Sequence, residues 1–200
     1  KERIRMIPMG ANLGDVPAPK AHDFPPAKLK LLFVGVNWEN KGGPVALDTL
    51  RAVKSAGVAA ELVVCGCTPP AGASDPDLRV EGFLDKSIQE QRQRLEQHFA
   101  SADVFILPTR FEAFGISFCE AAAYGVPAIG PRTGGVPTII ADGITGFTVD
   151  PQSDGQAYAD RILALVREPE RWRAMRAAAR ARYEERFTWK AFVRDLLAQL

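Results

Sequence analysis

FILPTRFEAFGISFCEAAAYG, residues 105–125, reads as a buried strand, a polar loop and a helix that stops at a glycine. Val104 to Leu107 is a short apolar run closed by Pro108, as expected of an inner strand in a parallel sheet covered on both faces. From about Gly115 the residues favour a helix, and Gly125-Val126-Pro127 supplies its C-terminal stop. In an open α/β sheet such a strand-to-helix turn lies at the carboxyl edge, where ligands bind. Two carboxylates bracket it, Glu112 in the loop and Glu120 on the helix.

The same alternation extends outward in both directions. LKLLFVGV (29–36) is the strongest strand signal, followed by a polar loop from Asn37 to Pro44 and a helix with apolar Val45, Leu47, Leu50 and Val53. Further strands are expected at Glu61 to Gly66, Arg79 to Phe83, Pro127 to Gly130 and Gly146 to Val149. Ser87-Ile88-Gln89-Glu90 matches a capping box for a helix that turns Leu95 and Phe99 inward, and Thr133 to Pro137 opens a brief helix. From Asp154 on the pattern is helical. Its stripes are Ile162, Leu163 and Val166, then Trp172, Met175 and Ala179, then Phe192, Leu196, Leu197 and Leu200. Arg171, Arg173, Arg176, Arg180 and Arg182 are expected on the wet side of the second of these helices.

Strands alternating with helices predict an α/β fold: a Rossmann-like, doubly wound parallel sheet with helices on both faces and a helical C-terminal tail. The expected organisation is one domain over 1–200. Residues 1–28 form an opening strand (Ile4 to Ile7) and a Pro/Gly-rich loop, 29–153 the βα core, and 154–200 the C-terminal helices.

The chain has 200 residues, 46% of them hydrophobic, and a net charge of +1. That size supports a real core, and near-neutrality gives no signal for nucleic acid. No apolar run approaches the roughly 18 to 20 residues of a membrane span. Cys65, Cys67 and Cys119 are an odd number in apolar surroundings, as suits a reducing compartment, so a cytoplasmic location is expected. The opening Lys1-Glu2-Arg3 lacks an initiator methionine, as expected of a piece of something longer. Cys65-x-Cys67 has no second ligand pair and His22 and His98 have no helpful spacing, so no metal site is expected.

Neither GxGxxG nor GxxxxGK[ST] occurs, which removes most support for a nicotinamide or flavin dehydrogenase and for a P-loop NTPase. Other residues at the turns remain as candidates. Lys41, with Gly42-Gly43, sits where a helix N-terminus offers a phosphate amide donors and a cation, although the same residues also suit a plain tight turn. Glu112 and Glu120, beside the amides of Phe114, Gly115 and Ile116, suit sugar hydroxyls and an adjoining anion. They equally suit an exposed loop residue and a favourable charge near a helix N-terminus. Gly134-Gly135 allows close backbone approach, to a ligand or within a turn, and Arg110 and Arg132 lie in the same two loops.

In order and spacing, several stretches together resemble the C-terminal, nucleotide-sugar-binding domain of GT-B retaining glycosyltransferases of the GT4 type, the glycosyl transferases group 1 family. They are Ile7 to Gly10, LLFVGVNWENKGG (31–43), EGFLD (81–85), ADVFILPTRFEAFGISFCEAAAYGVPAIG (102–130) and TGGVPTIIADGITGFTVDP (133–151). The most specific part is Glu112-x7-Glu120 with Phe114-Gly115 between them.

The resemblance implies that Glu112 and the amides after it hold the transferred sugar, that Glu120 holds the ribose hydroxyls, and that Lys41 neutralises the leaving diphosphate. Glu112 and Lys41 would be the catalytic pair. Phe114, Gly115, Ile116, Glu120, Gly35, Gly134 and Gly135 would complete the donor site. A nucleotide-diphosphate sugar would be the donor substrate, with no cofactor or metal, and the acceptor would be met by the protein's own N-terminal domain, which this chain does not include. The 200 residues alone are expected to bind donor weakly and catalyse nothing. The chain departs from the family pattern at Val36, where many relatives carry a diphosphate-binding arginine, and at Thr138, where a glutamate is common. Arg110 or Arg132 is the expected substitute cation. The competing readings are a non-catalytic nucleotide-binding module of the same fold and a GT-B relative such as a sugar epimerase.

Overall fold

The computed structural model describes residues 6–14, 16–19 and 23–199. Among the described residues, six parallel strands form one sheet: β1 (Leu29–Val34), β2 (Ala60–Cys65), β3 (Leu78–Gly82), β4 (Val104–Ile106), β5 (Ala128–Pro131) and β6 (Gly146–Val149), in the order β3-β2-β1-β4-β5-β6. The helices are α1 (Gly43–Ser55), α2 (Gln89–Ser101), α3 (Ile116–Ala123), α4 (Val136–Ile139), α5 (Gly155–Arg167), α6 (Pro169–Arg186) and α7 (Trp189–Leu197). The chain leaves β1 through α1 toward β2, but leaves β4 through α3 toward β5, in the opposite direction across the sheet. Right-handed crossovers therefore place α1 on one face and α2 and α3 on the other. The expected doubly wound sheet is the one observed.

The inner strands are apolar because both their faces are covered. Leu31, Leu32 and Phe33 of β1, Leu62, Val63 and Val64 of β2 and all of β4 are buried. The helical tail returns over this core. α5 lies against α1, where a Cβ on Gly155 would fall 2.6 Å from Thr49 N. α6 packs on α3 and plants Trp172 under the sheet, its Nε1 donating to Asp103 O at 2.9 Å and its ring stacked on Phe24 at 4.0 Å.

Three local expectations differ from the structure. The capping box at Ser87 does not form. Asp85 Oδ1 accepts from both Ser87 N (2.8 Å) and Ser87 Oγ (2.7 Å), which occupies the hydroxyl and leaves extended Ile88 as the N-cap. The arginines of α6 do not all face water: Arg176 is buried over the Trp172 ring, Arg180 donates to the carbonyls of Val16, Pro17 and Ala123, and Arg182 donates to Thr138 O and Ile139 O. Those carbonyls lie at loop and helix ends, where no backbone donor is available. Of the strand expected from Ile4 to Ile7, Ile4 and Arg5 lie outside the described residues, and Met6 and Ile7 are in no strand.

The stripe expected on the last helix is largely uncovered. Leu196 and Leu197 are exposed beside Val193, Phe192 is half-buried against Trp189, and Leu200 lies outside the described residues. No helix among the described residues is long and apolar enough to cross a membrane.

Candidate functional site

The strand order reverses between β1 and β4, and the loops that follow these strands flank the crevice where ligands bind in such sheets. The loop after β1 is wound tightly. Lys41 N donates to Asn37 O (3.0 Å), Gly42 N to Glu39 O (3.1 Å) and Gly43 N to Trp38 O (2.7 Å). The amides expected to receive a phosphate in this turn are therefore consumed within it, and what reaches the crevice is the Lys41 side chain. Two glycines make this possible. A Cβ on Gly35 would fall 2.9 Å from Lys41 Cγ, and one on Gly42, whose φ is +78°, would fall 2.0 Å from Pro108 O in the facing loop.

The loop after β4 is fastened to the first. The buried Thr109 hydroxyl lies 2.7 Å from Phe111 O and 3.1 Å from Asn40 O. This fastening sets Glu112 opposite Lys41, with Nζ donating to Oε2 at 2.7 Å. Their side chains are 26% and 12% exposed, so the pair is shielded yet reachable from the crevice. Gly115 then turns the chain into α3 at a φ of +100°. As first-turn residues of α3, Ile116 and Ser117 have amides without an intrahelical acceptor, at the positive end of the helix dipole.

Glu120, one turn further on, is 2% exposed. Burial pulls its carboxyl above the ordinary carboxylate range, and the ammonium of Lys86, which donates to Oε1, opposes that rise. Lys86 comes from the loop between β3 and α2.

These groups surround one hollow of about 640 Å³. Of the residues singled out by sequence, Gly35, Lys41, Glu112, Phe114, Gly115, Ile116 and Glu120 all line it. Gly134 and Gly135 do not. They lie behind the loop that does: Gly135 N donates to Ala113 O at 3.1 Å, and a Cβ on Gly134 would fall 1.7 Å from Glu112 O. The close approach they permit is to protein backbone. Neither expected substitute cation lines the hollow either. Arg110 borders an adjoining hollow beyond Lys41, with Phe111, and Arg132 is exposed beside β5. Val36, 70% exposed, stands on the wall of the hollow and brings no charge to it.

The second cation in the hollow is Lys86, which the sequence reading passed over. Its signal was positional. It follows Glu81-Gly82-Phe83-Leu84-Asp85 at the carboxyl end of a strand, and every such end in a parallel sheet opens toward the same edge. Among the described residues, no group of three or more His, Cys, Asp and Glu side chains is arranged to hold a metal ion.

A family model described as glycosyl transferases group 1 matches residues 28–168. A D-inositol 3-phosphate glycosyltransferase of Segniliparus rotundus is 30% identical over 210 aligned positions, covering 98% of this chain and 46% of that protein. The chain thus spans about half the length of this curated relative. Among solved structures, Anabaena HepE in complex with UDP-glucose superposes with a TM-score of 0.71 at 17% identity, covering 86% of this chain and 49% of that one. The C-terminal domain of a glycosyl transferase group 1 family protein from Francisella tularensis superposes with a TM-score of 0.65 at 20% identity, covering 78% and 84%.

Proposed function

Since the chain belongs to the glycosyl transferases group 1 family, we propose that it is the donor-binding half of a retaining glycosyltransferase, which moves a sugar from a nucleotide-diphosphate sugar to an acceptor held by a separate N-terminal half. One observation carries the reading: Lys41, Glu112, the first amides of α3 and Glu120 border one hollow at the β1/β4 switch point. A cation and helix-terminal amides suit a diphosphate, and the flanking carboxylates suit hydroxyls that donate hydrogen bonds. UDP-glucose bound to a neighbour of the same fold supports a nucleotide sugar as the ligand.

In this reading Glu112 accepts hydrogen bonds from the transferred sugar and Glu120 from the ribose. Lys41 and the amides of Ile116 and Ser117 face the diphosphate. When the glycosidic bond breaks, its electron pair departs with the diphosphate and negative charge grows on the leaving oxygen. A unit cation about 4 Å away is worth about 4 kcal/mol at an effective dielectric of 20, more as that charge develops, and this is the service a preorganised site supplies. The acceptor enters from the face the diphosphate leaves, so configuration is retained. No metal is invoked in this scheme. Orientation of the acceptor falls to the other half, so these 200 residues bind donor and transfer nothing at a useful rate.

The experiment is a thermal-shift panel of UDP-, GDP- and ADP-sugars against the protein and its Lys41→Ala variant, with transfer and donor hydrolysis assayed alongside. A bound ligand at 100 times its Kd stabilises by about 2.7 kcal/mol, so millimolar donor reports even weak binding. Stabilisation that Lys41→Ala abolishes is expected, without turnover. No shift with any nucleotide sugar, or turnover matching a complete transferase, would refute the assignment.

A further inference from the structure

Lys86 and Glu120 form the second lysine–glutamate pair of the hollow, across from Lys41 and Glu112. The loop that carries Lys86 is pinned on both sides of it. Asp85 N donates to Gln91 Oε1 at 2.7 Å, while the Asp85 carboxylate holds the amide and hydroxyl of Ser87. Lys86 is therefore presented to the hollow by a fixed turn. Its side chain is 38% exposed, whereas that of Glu120 is 3% exposed, so the lysine forms the reachable edge of a buried carboxylate.

Resting on the reading of Glu120 as the ribose acceptor, we propose that Lys86 is a positioning residue of the donor site, which holds the Glu120 carboxylate in the state and orientation that a ribose diol requires and so makes the site discriminate ribose from deoxyribose.

The physical reason is the isolation of Glu120. Among the described residues, Lys86 from the loop is the titratable group that acts on it electrostatically, while Cys119 beside it and Tyr124 at the end of its helix feel its charge. Burial raises both the Cys119 thiol and the Tyr124 phenol far above neutral, so neither carries charge there, and Lys86 is the one compensating cation. Without it only burial acts on the carboxyl, and burial favours the protonated form. A carboxylic acid has one acceptor oxygen fewer to offer two ribose hydroxyls.

The test uses the 200-residue protein with UDP, GDP and ADP. The tightest of the three is then compared with its 2′-deoxy counterpart by equilibrium titration from about pH 6 to about pH 9, a range that spans the titration of a buried carboxyl. The unsubstituted protein should favour the ribonucleotide at least about tenfold, the low end of the worth of one hydrogen bond to a charged group. Lys86→Met should lose most of that preference at neutral pH and recover it as rising pH removes the Glu120 proton, whereas Lys86→Arg should keep it throughout. Two results would overturn the inference alone: Lys86→Met keeping both preference and pH profile, or weakening both nucleotides equally at every pH, which marks a merely structural loop residue. If the unsubstituted protein binds none of the three, or binds without preference for ribose, the donor reading of Glu120 fails and this inference with it.

Discussion

Lys41 Nζ lies 2.7 Å from Glu112 Oε2, although the two residues are 71 positions apart in the chain. Each is carried by the loop after a central strand, and Thr109 fastens those loops together through Asn40 O and Phe111 O. The pair is part of the wall of the hollow, so its loss should register in ligand binding before it registers in stability. Lys41→Met should weaken nucleoside diphosphate binding by about 1.5–3 kcal/mol, the range for a hydrogen bond to a charged group. Its effect on unfolding free energy should stay below about 1 kcal/mol, as for ion pairs that remain in contact with solvent. Isothermal titration and chemical denaturation of the same samples check both.

Gly134 supports the position of Glu112 without touching the hollow. Its φ of +50° disfavours any side chain, and a Cβ would overlap Glu112 O at 1.7 Å. Gly134→Ala should cost about 1–3 kcal/mol in stability through backbone strain alone, and more through displacement of residues 112–114. Nucleotide affinity should fall with it. A variant with unchanged stability and unchanged binding would show that this turn is not a strut.

Trp172 joins the helical tail to the sheet through its hydrogen bond to Asp103 O and its stack on Phe24. Trp172→Ala should destabilise the protein by about 3–5 kcal/mol, the usual cost of removing a large buried aromatic. Guanidinium unfolding followed by circular dichroism measures it. A much smaller loss would mean that the tail contributes little to the core.

Asp77 is held below its ordinary value of 3.8 by hydrogen bonds from Lys28 and Lys54. Burial acts to raise Asp75, but hydrogen bonds from Lys54 and from Asp77 N outweigh it, so this carboxyl is also lowered. Groups with depressed folded values contribute stability that is complete above the unfolded value and is lost as pH falls through the folded one. The melting temperature should therefore drop below about pH 4, and Lys54→Met should make that drop shallower. Added salt should act in the same direction in the unsubstituted protein, because these charges are close to solvent. Thermal melts across the acid range, with and without salt, decide it.

Much of the fold was legible in the amino-acid order, because the signals that set it are local. The apolar runs at 29–36 and 104–107 suit strands covered on both faces. Gly125 and Pro127 end α3 where they stand in the chain, and Asp154 caps α5 by accepting from Ala157 N. Placement at strand-to-helix turns also brought out Glu112 and Glu120, and the glycines and lysine of the loop after β1.

Tertiary structure decided the partners. Asp85 took the hydroxyl of Ser87 away from its own helix. Thr138 O and Ile139 O drew Arg182 out of water. Gly134 was committed to the backbone of Glu112, and Lys86 was brought to Glu120 across 34 residues. None of these has a local periodicity, because a parallel sheet gathers the carboxyl ends of strands that lie far apart in sequence onto one edge. Which side chains meet there depends on strand order and crossover hand, and those are fixed only when the whole sheet has assembled.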